Sequence, residues 1–477
     1  MMLLTESAPI TCIIRGGTVV NSEFSKIMDV FISNDLVVAL TEPNVDPGLA
    51  RNVNCFEIDA KGKMVLPGGV DPHCHVGFKS GVFSTLDDYR EASTAAVFGG
   101  TTTIIDFAIP ESGETPLDAV KRQMERSKES LCDSALHGCV ITWDESTAHQ
   151  IGEIVDLGVI TIKMFTTYRG ESMADDDTIL RVMRELKDVG GMVVIHCESN
   201  HLIEEDQRKA EQMNQVSAKW HASTRSELAE LSSVRGILDI ASAIEAPIYF
   251  VHQSTKSAVQ LVSEARARGV FCYSEAVLHH LVLDDAKYDE AQPERYVCCP
   301  PLRSRSTVAG LVEALLNGQI STLGSDHCCY NIEQKMRHNS DVRNMPNGLP
   351  GVETRLTVGL SLLVQQLGLP IERFVAISST NPAKINGLYP KKGAIIPGSD
   401  ADIVIWDLDC SYTLDESDLH MATDYSPYHG MQTAARPIMT MLRGRVVVKD
   451  GVLVDERAYG RFVSGAKVDF SRFISGL

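Results

Sequence analysis

The segment Asp71-Pro72-His73-Cys74-His75 closes an apolar run that begins at Met64. Two histidines one residue apart at a strand end lie on the same side, because strand side chains alternate with a period of two. Two imidazoles on one side can grip a transition metal ion. That pair does not fix a reaction unless further ligands arrive from elsewhere in the chain. Four other places supply candidates: Lys163 in Thr161-Ile162-Lys163, His196 after Val193-Val194-Ile195, His252 after Phe250-Val251, and Asp326 after Gly324-Ser325. A single histidine after an apolar run is ordinarily a core residue with its hydrogen bonds satisfied. Four histidines and one aspartate, all at such ends, predict a metal site instead. Imidazole and carboxylate donors suit zinc, manganese or iron. Five donors exceed what one tetrahedral zinc takes, which predicts two ions about 3.5–4 Å apart with a bridging hydroxide. Lys163 is a different case, since an ammonium has no lone pair to give a metal. By residue type alone it reads as a buried strand lysine paired with a carboxylate.

The elements that must position these residues repeat along the chain. Apolar β-rich runs occur at 64–73, 101–107, 135–143, 159–165, 191–197, 247–252, 270–276 and 320–326. Amphipathic helical stretches lie between them, such as Leu86–Val97, Asp175–Val189, Arg225–Ile244 and Thr307–Asn317. Continuous rather than alternating apolar strands are those of a parallel sheet covered on both faces. Eight strand–helix units over roughly 260 residues predict an α/β fold with a (β/α)8 TIM-like barrel, in which side chains that do chemistry sit at the C-terminal strand ends. A doubly wound open sheet is the rival pattern, but no glycine fingerprint opens its first turn.

Short strands without helices occupy both chain ends, for example Cys12–Val20, Asp29–Ile32, Asp402–Trp406 and Arg445–Val448. Neither end has enough strands to bury a core alone, so the two are expected to form one small β-sandwich. The expected division is 1–62 plus 390–450 for the β-sandwich, 63–389 for the barrel and 451–477 for a C-terminal extension over the barrel or a neighbour.

The 477 residues carry 44 Lys and Arg against 63 Asp and Glu, a net charge of −19. Such a surface repels nucleic acid and anionic membranes, and no apolar run approaches the ~18 residues of a membrane span. Twelve cysteines include the adjacent pairs Cys298-Cys299 and Cys328-Cys329, which suit neither a disulfide framework nor a zinc ribbon. Reduced thiols and a leader Met1–Glu6 without a basic stretch predict a cytoplasmic protein.

The set D-P-H-C-H, K-M-F-T-T-Y, V-I-H-C-E, F-V-H-Q-S and G-S-D-H-C-C, with Gly99–Thr103 and Gly398–Asp402, resembles the amidohydrolase superfamily through nearly the whole chain. Within it the chain is similar to the dihydropyrimidinase and D-hydantoinase group. The resemblance implies that Lys163 is carboxylated by carbon dioxide to N6-carboxylysine and bridges two divalent ions. His73, His75 and Asp326 would complete one ion and His196 and His252 the other. It further implies hydrolysis of a cyclic amide, the ring of a dihydropyrimidine or 5-substituted hydantoin opening to an N-carbamoyl amino acid. The nucleophile would be the bridging hydroxide, with Asp326 as proton carrier and the Tyr168 hydroxyl stabilising the oxyanion. The segments Val297–Arg303 and Met345–Pro350 would read the cyclic ureide through groups at Cys299 and Asn347; the family usually has serine at the position of Cys299. Zinc is the expected metal and a homotetramer the expected assembly.

Two other readings compete. An allantoinase or dihydroorotase would follow its second histidine with an arginine that binds the substrate carboxylate, whereas Val76-Gly77-Phe78 follows His75 here. A collapsin-response-mediator-like scaffold without catalysis would have lost metal ligands, and this chain keeps all six positions. His327 is open between a supporting role at the metal site and a structural one. The loop Val76–Phe83, with two aromatics and two glycines, is expected to wall the substituent pocket.

Overall fold

The computed structural model describes residues 9–337 and 341–470; the leader Met1–Glu6 and the last seven residues of the expected extension lie outside the described residues. Eight parallel strands run side by side: Gly69–His75, Thr101–Phe107, Asp133–Cys139, Thr161–Phe165, Met192–His196, Ile248–Phe250, Cys272–Val277 and Thr322–Gly324. Nearly every residue in them is buried, so both faces are covered, as their unbroken apolar character requires. Helices including Tyr89–Phe98, Pro116–Arg126, Asp176–Val189 and Lys256–Ala267 return the chain between strands. Their starts are set by side-chain caps. Asp88, Thr115, Asp175 and Thr255 each accept from the backbone N–H three residues on, which satisfies a donor the helix itself leaves free. The chain is thus an α/β barrel with a second, β-rich domain.

The eighth barrel strand is broken. Thr322–Gly324 pairs with the seventh strand, and His327–Cys328 pairs with Cys74 and His75 of the first. Asp326 sits in the break with φ +50°, a left-handed conformation rare outside glycine. The Ser325 N–H donates to Asp71 and its hydroxyl to the His73 carbonyl. Closure of the barrel therefore delivers Asp326 directly to the two histidines.

The run expected as one strand over 64–73 is two. Met64–Pro67 pairs with Ile10–Val20 and Ile403–Asp407 in the end sheet, and Gly69–His75 starts the barrel. The crossing falls at Gly68, where a Cβ would lie 2.0 Å from Thr102 Oγ1. No residue with a side chain fits that approach.

The end sheet combines strands from both termini, with Met64–Pro67 joining Ile10–Val20 to Ile403–Asp407. It forks at its first strand: Ile10–Arg15 pairs with Arg51–Asp59, and Thr18 and Val19 pair with Met64 and Val65. Cys12, Ile14, Val30, Ile32, Ile403 and Ile405 pack in one cluster, and Ile10, Ile13 and Phe31 in another. After Val452–Leu453 the chain runs over the barrel surface. Backbone bonds from Gly460, Gly465 and Val468 reach Ser130, Gly158 and Gly190, each just before a barrel strand, so this segment covers the N-terminal end of the barrel.

Candidate active site

At the opposite, C-terminal end, the strand termini surround a cavity of about 460 Å³. His75, Lys163, His196, His252 and Asp326 line it, together with Tyr168, Cys299 and Asn347. His73 lies behind His75 and is fully buried. Its ring centroid is 5.3 Å from those of both His75 and His252, and His252 is 4.5 Å from His196. The four imidazoles thus form a continuous arc around Lys163.

His73 and His75 present Nε2 to the same oxygen, Asp326 Oδ1, at 3.0 and 3.3 Å. The other nitrogen of His73, Nδ1, is 2.7 Å from Glu275 Oε1. A neutral His73 donates its one N–H to Glu275, which leaves the Nε2 lone pair facing a carboxylate oxygen. Two acceptors at that distance require a cation between them, a proton or a metal ion. Burial acts to lower the His73 pKa, but Asp326 and Glu275 outweigh it and push it up to about 9. Burial also acts to raise Asp326, yet His73 and His75 hold it well below the usual carboxylate range. Burial lowers His75 to about 4, and drops His196 and His252 as well, so these rings favour the neutral form that ligates metals. Buried ring nitrogens without hydrogen-bond partners remain on His73, His75 and His252. Imidazole and carboxylate donors with unused lone pairs fit divalent metal ions.

Lys163 does not match the reading of a lysine paired with a carboxylate. Its Nζ forms no ion pair among the described residues and lies 4.7 and 5.0 Å from the ring centroids of Phe107 and Phe165. Burial lowers its pKa to about 8 despite attraction from Asp326 and Glu275.

The supporting carboxylates escaped the sequence reading. Glu275, inside the seventh strand, takes His73 Nδ1, the His252 backbone N–H at 2.9 Å and the Tyr249 hydroxyl at 2.8 Å. It thereby orients histidines on both sides of the site. Glu198 is 2.7 Å from His196 Nε2 and ion-pairs with buried Arg225. An acid inside an apolar strand, and one two residues after a strand-end histidine, were the available signals. Carboxylates in these places fix tautomer and ring orientation. Three residues here have positive φ, Tyr168 at +69°, His252 at +36° and Asp326 at +50°. Backbone strain of this kind persists only where surrounding structure enforces it.

Tyr168 lies against Cys299, and burial holds its phenol well above the usual range, so it keeps its proton and can donate a hydrogen bond. Burial pushes the Cys299 thiol up to about 11. Phe78, Lys79, Ser80 and Gly81 line the cavity, so the loop after His75 does wall it. His327 is structural: its Nε2 is 2.6 Å from Asp87 and its Nδ1 accepts from the Gly351 N–H.

The sequence pattern of the amidohydrolase family matches residues 64–447. A dihydropyrimidinase of Rattus norvegicus is 35% identical over 97% of this chain and 90% of its own length. A D-hydantoinase of Geobacillus stearothermophilus is 33% identical over 96% of this chain and 97% of its own. The crystal structure of a dihydropyrimidinase from Brevibacillus agri superposes with a TM-score of 0.91 at 33% identity, covering 95% of this chain and 98% of that one. The match runs through nearly the whole chain in sequence and in shape, and the chain belongs to the amidohydrolase family, in its dihydropyrimidinase and D-hydantoinase group.

Proposed function

We propose that this chain is a metal-dependent cyclic amidohydrolase that opens a dihydropyrimidine or 5-substituted hydantoin ring to the N-carbamoyl amino acid. The observation that carries this reading is the meeting of His73, His75, Lys163, His196, His252 and Asp326 at one cavity whose wall holds Tyr168, Cys299 and Asn347.

His73, His75, Asp326 and Lys163 would hold one divalent ion, and His196, His252 and the same Lys163 the other. Such ions, most suitably zinc for this donor set, supply a hydroxide nucleophile at neutral pH and polarise a carbonyl. Lys163 serves after modification. With its pKa lowered to about 8, a fraction of the amine is neutral near pH 7. That nitrogen attacks carbon dioxide, the N–C bond forms as a C=O electron pair moves to oxygen, and the N–H proton leaves to water. The carbamate turns an unpaired buried cation into a bidentate anion. Asp326, ionised at neutral pH, accepts the proton of the attacking hydroxide and returns it to the leaving ring nitrogen. The protonated Tyr168 hydroxyl donates to the developing oxyanion. Cys299 and Asn347 face the ring from the wall, and Phe78 and Phe165 offer an apolar surface to a ring substituent. Lys79 ion-pairs with Glu111 at 2.7 Å, so the cation nearest the loop is already engaged, which disfavours a carboxylate-bearing substrate. Among the described residues no helix is long and apolar enough to cross a membrane. The expected cytoplasmic location rests on reduced thiols, and the expected homotetramer on the family resemblance together with exposed Ile27, Val53 and Phe56 on the end sheet.

The test is a hydrolysis panel of dihydrouracil, hydantoin, both enantiomers of 5-phenylhydantoin and allantoin, with the zinc- or manganese-loaded protein. An N-carbamoyl amino acid product from at least one of the first four compounds is expected. Hydrolysis of none of the cyclic ureides would overturn the reading.

A further inference from the structure

A second lysine lies behind the wall of the cavity. Lys335, in the helix Ile332–Met336, is fully buried. Its ammonium has no carboxylate partner among the described residues. It donates to three backbone carbonyls: Val297 at 2.7 Å, Pro346 at 3.0 Å and Gly348 at 2.6 Å. An ammonium has three donors and no acceptor, so three carbonyls use it completely. Burying a cation without a counter-charge is costly, and these bonds are what compensate it.

The three carbonyls belong to the two segments already assigned to the cavity wall. Val297 lies two residues before Cys299, and Pro346 and Gly348 flank Asn347 on both sides. The Val297 carbonyl also accepts from the Gly348 N–H at 3.1 Å, which ties the two segments to each other. In a planar trans peptide the N–H points opposite to the C=O. The Pro346 carbonyl turned back to Lys335 therefore directs the Asn347 N–H the other way, towards the side on which Asn347 and Gly348 line the cavity. That N–H has no hydrogen-bond partner among the described residues.

We infer that Lys335 is a positioning residue for substrate recognition, whose ammonium clamps the Val297–Cys299 and Pro346–Gly348 segments so that their amide groups face the ring edge of the substrate. The inference rests on the cyclic-ureide reading above. Lys335 touches neither the substrate nor the metal ligands. The edge it organises does not react, so its contacts are alike in the ground and transition states, and their loss appears in KM rather than kcat.

The experiment compares the metal-loaded wild type with Lys335→Met and Lys335→Gln. Metal content, kcat and KM for hydantoin and dihydrouracil are measured, with backbone hydrogen exchange over 295–302 and 344–351. For Lys335→Met we expect KM to rise by about tenfold or more, kcat to fall by less than about threefold and two metals to remain bound. Lys335→Gln, which keeps two donors, should fall between it and the wild type. Exchange in the two segments should quicken while the barrel strands stay protected. Unchanged KM in both variants, or equal loss of kcat and metal, would overturn the clamp. Should Lys335→Met fail to fold, an unchanged KM and unchanged exchange in Lys335→Gln overturns it equally. A wild type that hydrolyses no cyclic ureide would instead remove the function on which the clamp depends, a result separable from these.

Discussion

Lys163, which has no carboxylate partner among the described residues and is held among four histidines and one aspartate, is the residue from which the chemistry of this site is best argued. Lys163→Ala removes the group that both ions would share, while the small cavity it leaves lies at the barrel mouth. The expected result is loss of both metals and of turnover with an unchanged far-ultraviolet circular dichroism spectrum; elemental analysis decides it, and two metals retained at full rate would dismiss the carbamate. Tyr168→Phe should keep both metals and lower kcat by about 10²–10³-fold, the usual cost of one oxyanion donor. An unaltered kcat would free Tyr168 from that role. Glu275→Gln tests the support beneath the ligands. Its carboxylate orients His73 and the backbone of His252, so metal affinity should weaken by about 10–100-fold in a competition titration with a chelator. The four histidines and Asp326 were legible in the sequence because each ends an apolar run, whereas Lys163, inside its strand, stood out only through the family resemblance. Glu275 and Lys335 were not, because their importance lies in three bonds apiece to groups in other segments, a pattern that residue type and spacing do not carry.

At the scale of elements, the strands were read from their β-rich runs and the helices from their period, and both followed from burial on two faces or one. The apolar run from Met64 misled for the same reason. Hydrophobicity continues unbroken through Gly68, while hydrogen bonding passes from the end sheet to the barrel at that residue. The double glycine Gly68-Gly69 was the only local sign of the crossing. A Cβ at Gly68 would lie 2.0 Å from Thr102 Oγ1 and 2.7 Å from Thr102 Cβ, inside a buried junction. Gly68→Ala should therefore destabilise the protein by about 1–3 kcal/mol or more, as overpacking does. A denaturant midpoint equal to the wild type would mean that the junction yields freely. The broken eighth strand follows another rule that periodicity misses. Its interruption at Asp326 is set by closure onto the first strand, a long-range pairing, and the reward for the positive φ is the contact with His73 and His75.

For the whole molecule, the question is what joins the barrel to the domain built from the chain ends. Beside the crossing at Gly68, a buried charge cluster does so. Lys392 is bound by Asp133 at the start of the third barrel strand, and by Asp400 and Asp402, each at 2.7 Å, beside the end-sheet strand Ile403–Asp407. Arg443, in the turn between the end-sheet strands Arg436–Leu442 and Arg445–Lys449, reaches the same Asp133. All five side chains are almost entirely buried. Burial and the crowding of carboxylates push Asp402 up to about 6, but Lys392, held well above its usual range by the three acids, keeps its charge. Lys392→Met would leave three buried carboxylates facing one arginine. Breaking a buried pair in this way costs about 3–5 kcal/mol, because the remaining charges have neither partner nor water. The cluster lies at the N-terminal end of the barrel, opposite the cavity lined by His75, Lys163 and Asp326, so kcat and metal content at 25 °C should be unchanged while calorimetry shows a lower Tm. Adding Asp400→Asn and Asp402→Asn to Lys392→Met, which leaves Asp133 paired with Arg443, should recover part of that loss, since it removes the orphaned charges along with their counter-ion. Equal Tm values for Lys392→Met and wild type would show that the two domains are joined by apolar packing and by the Gly68 crossing alone.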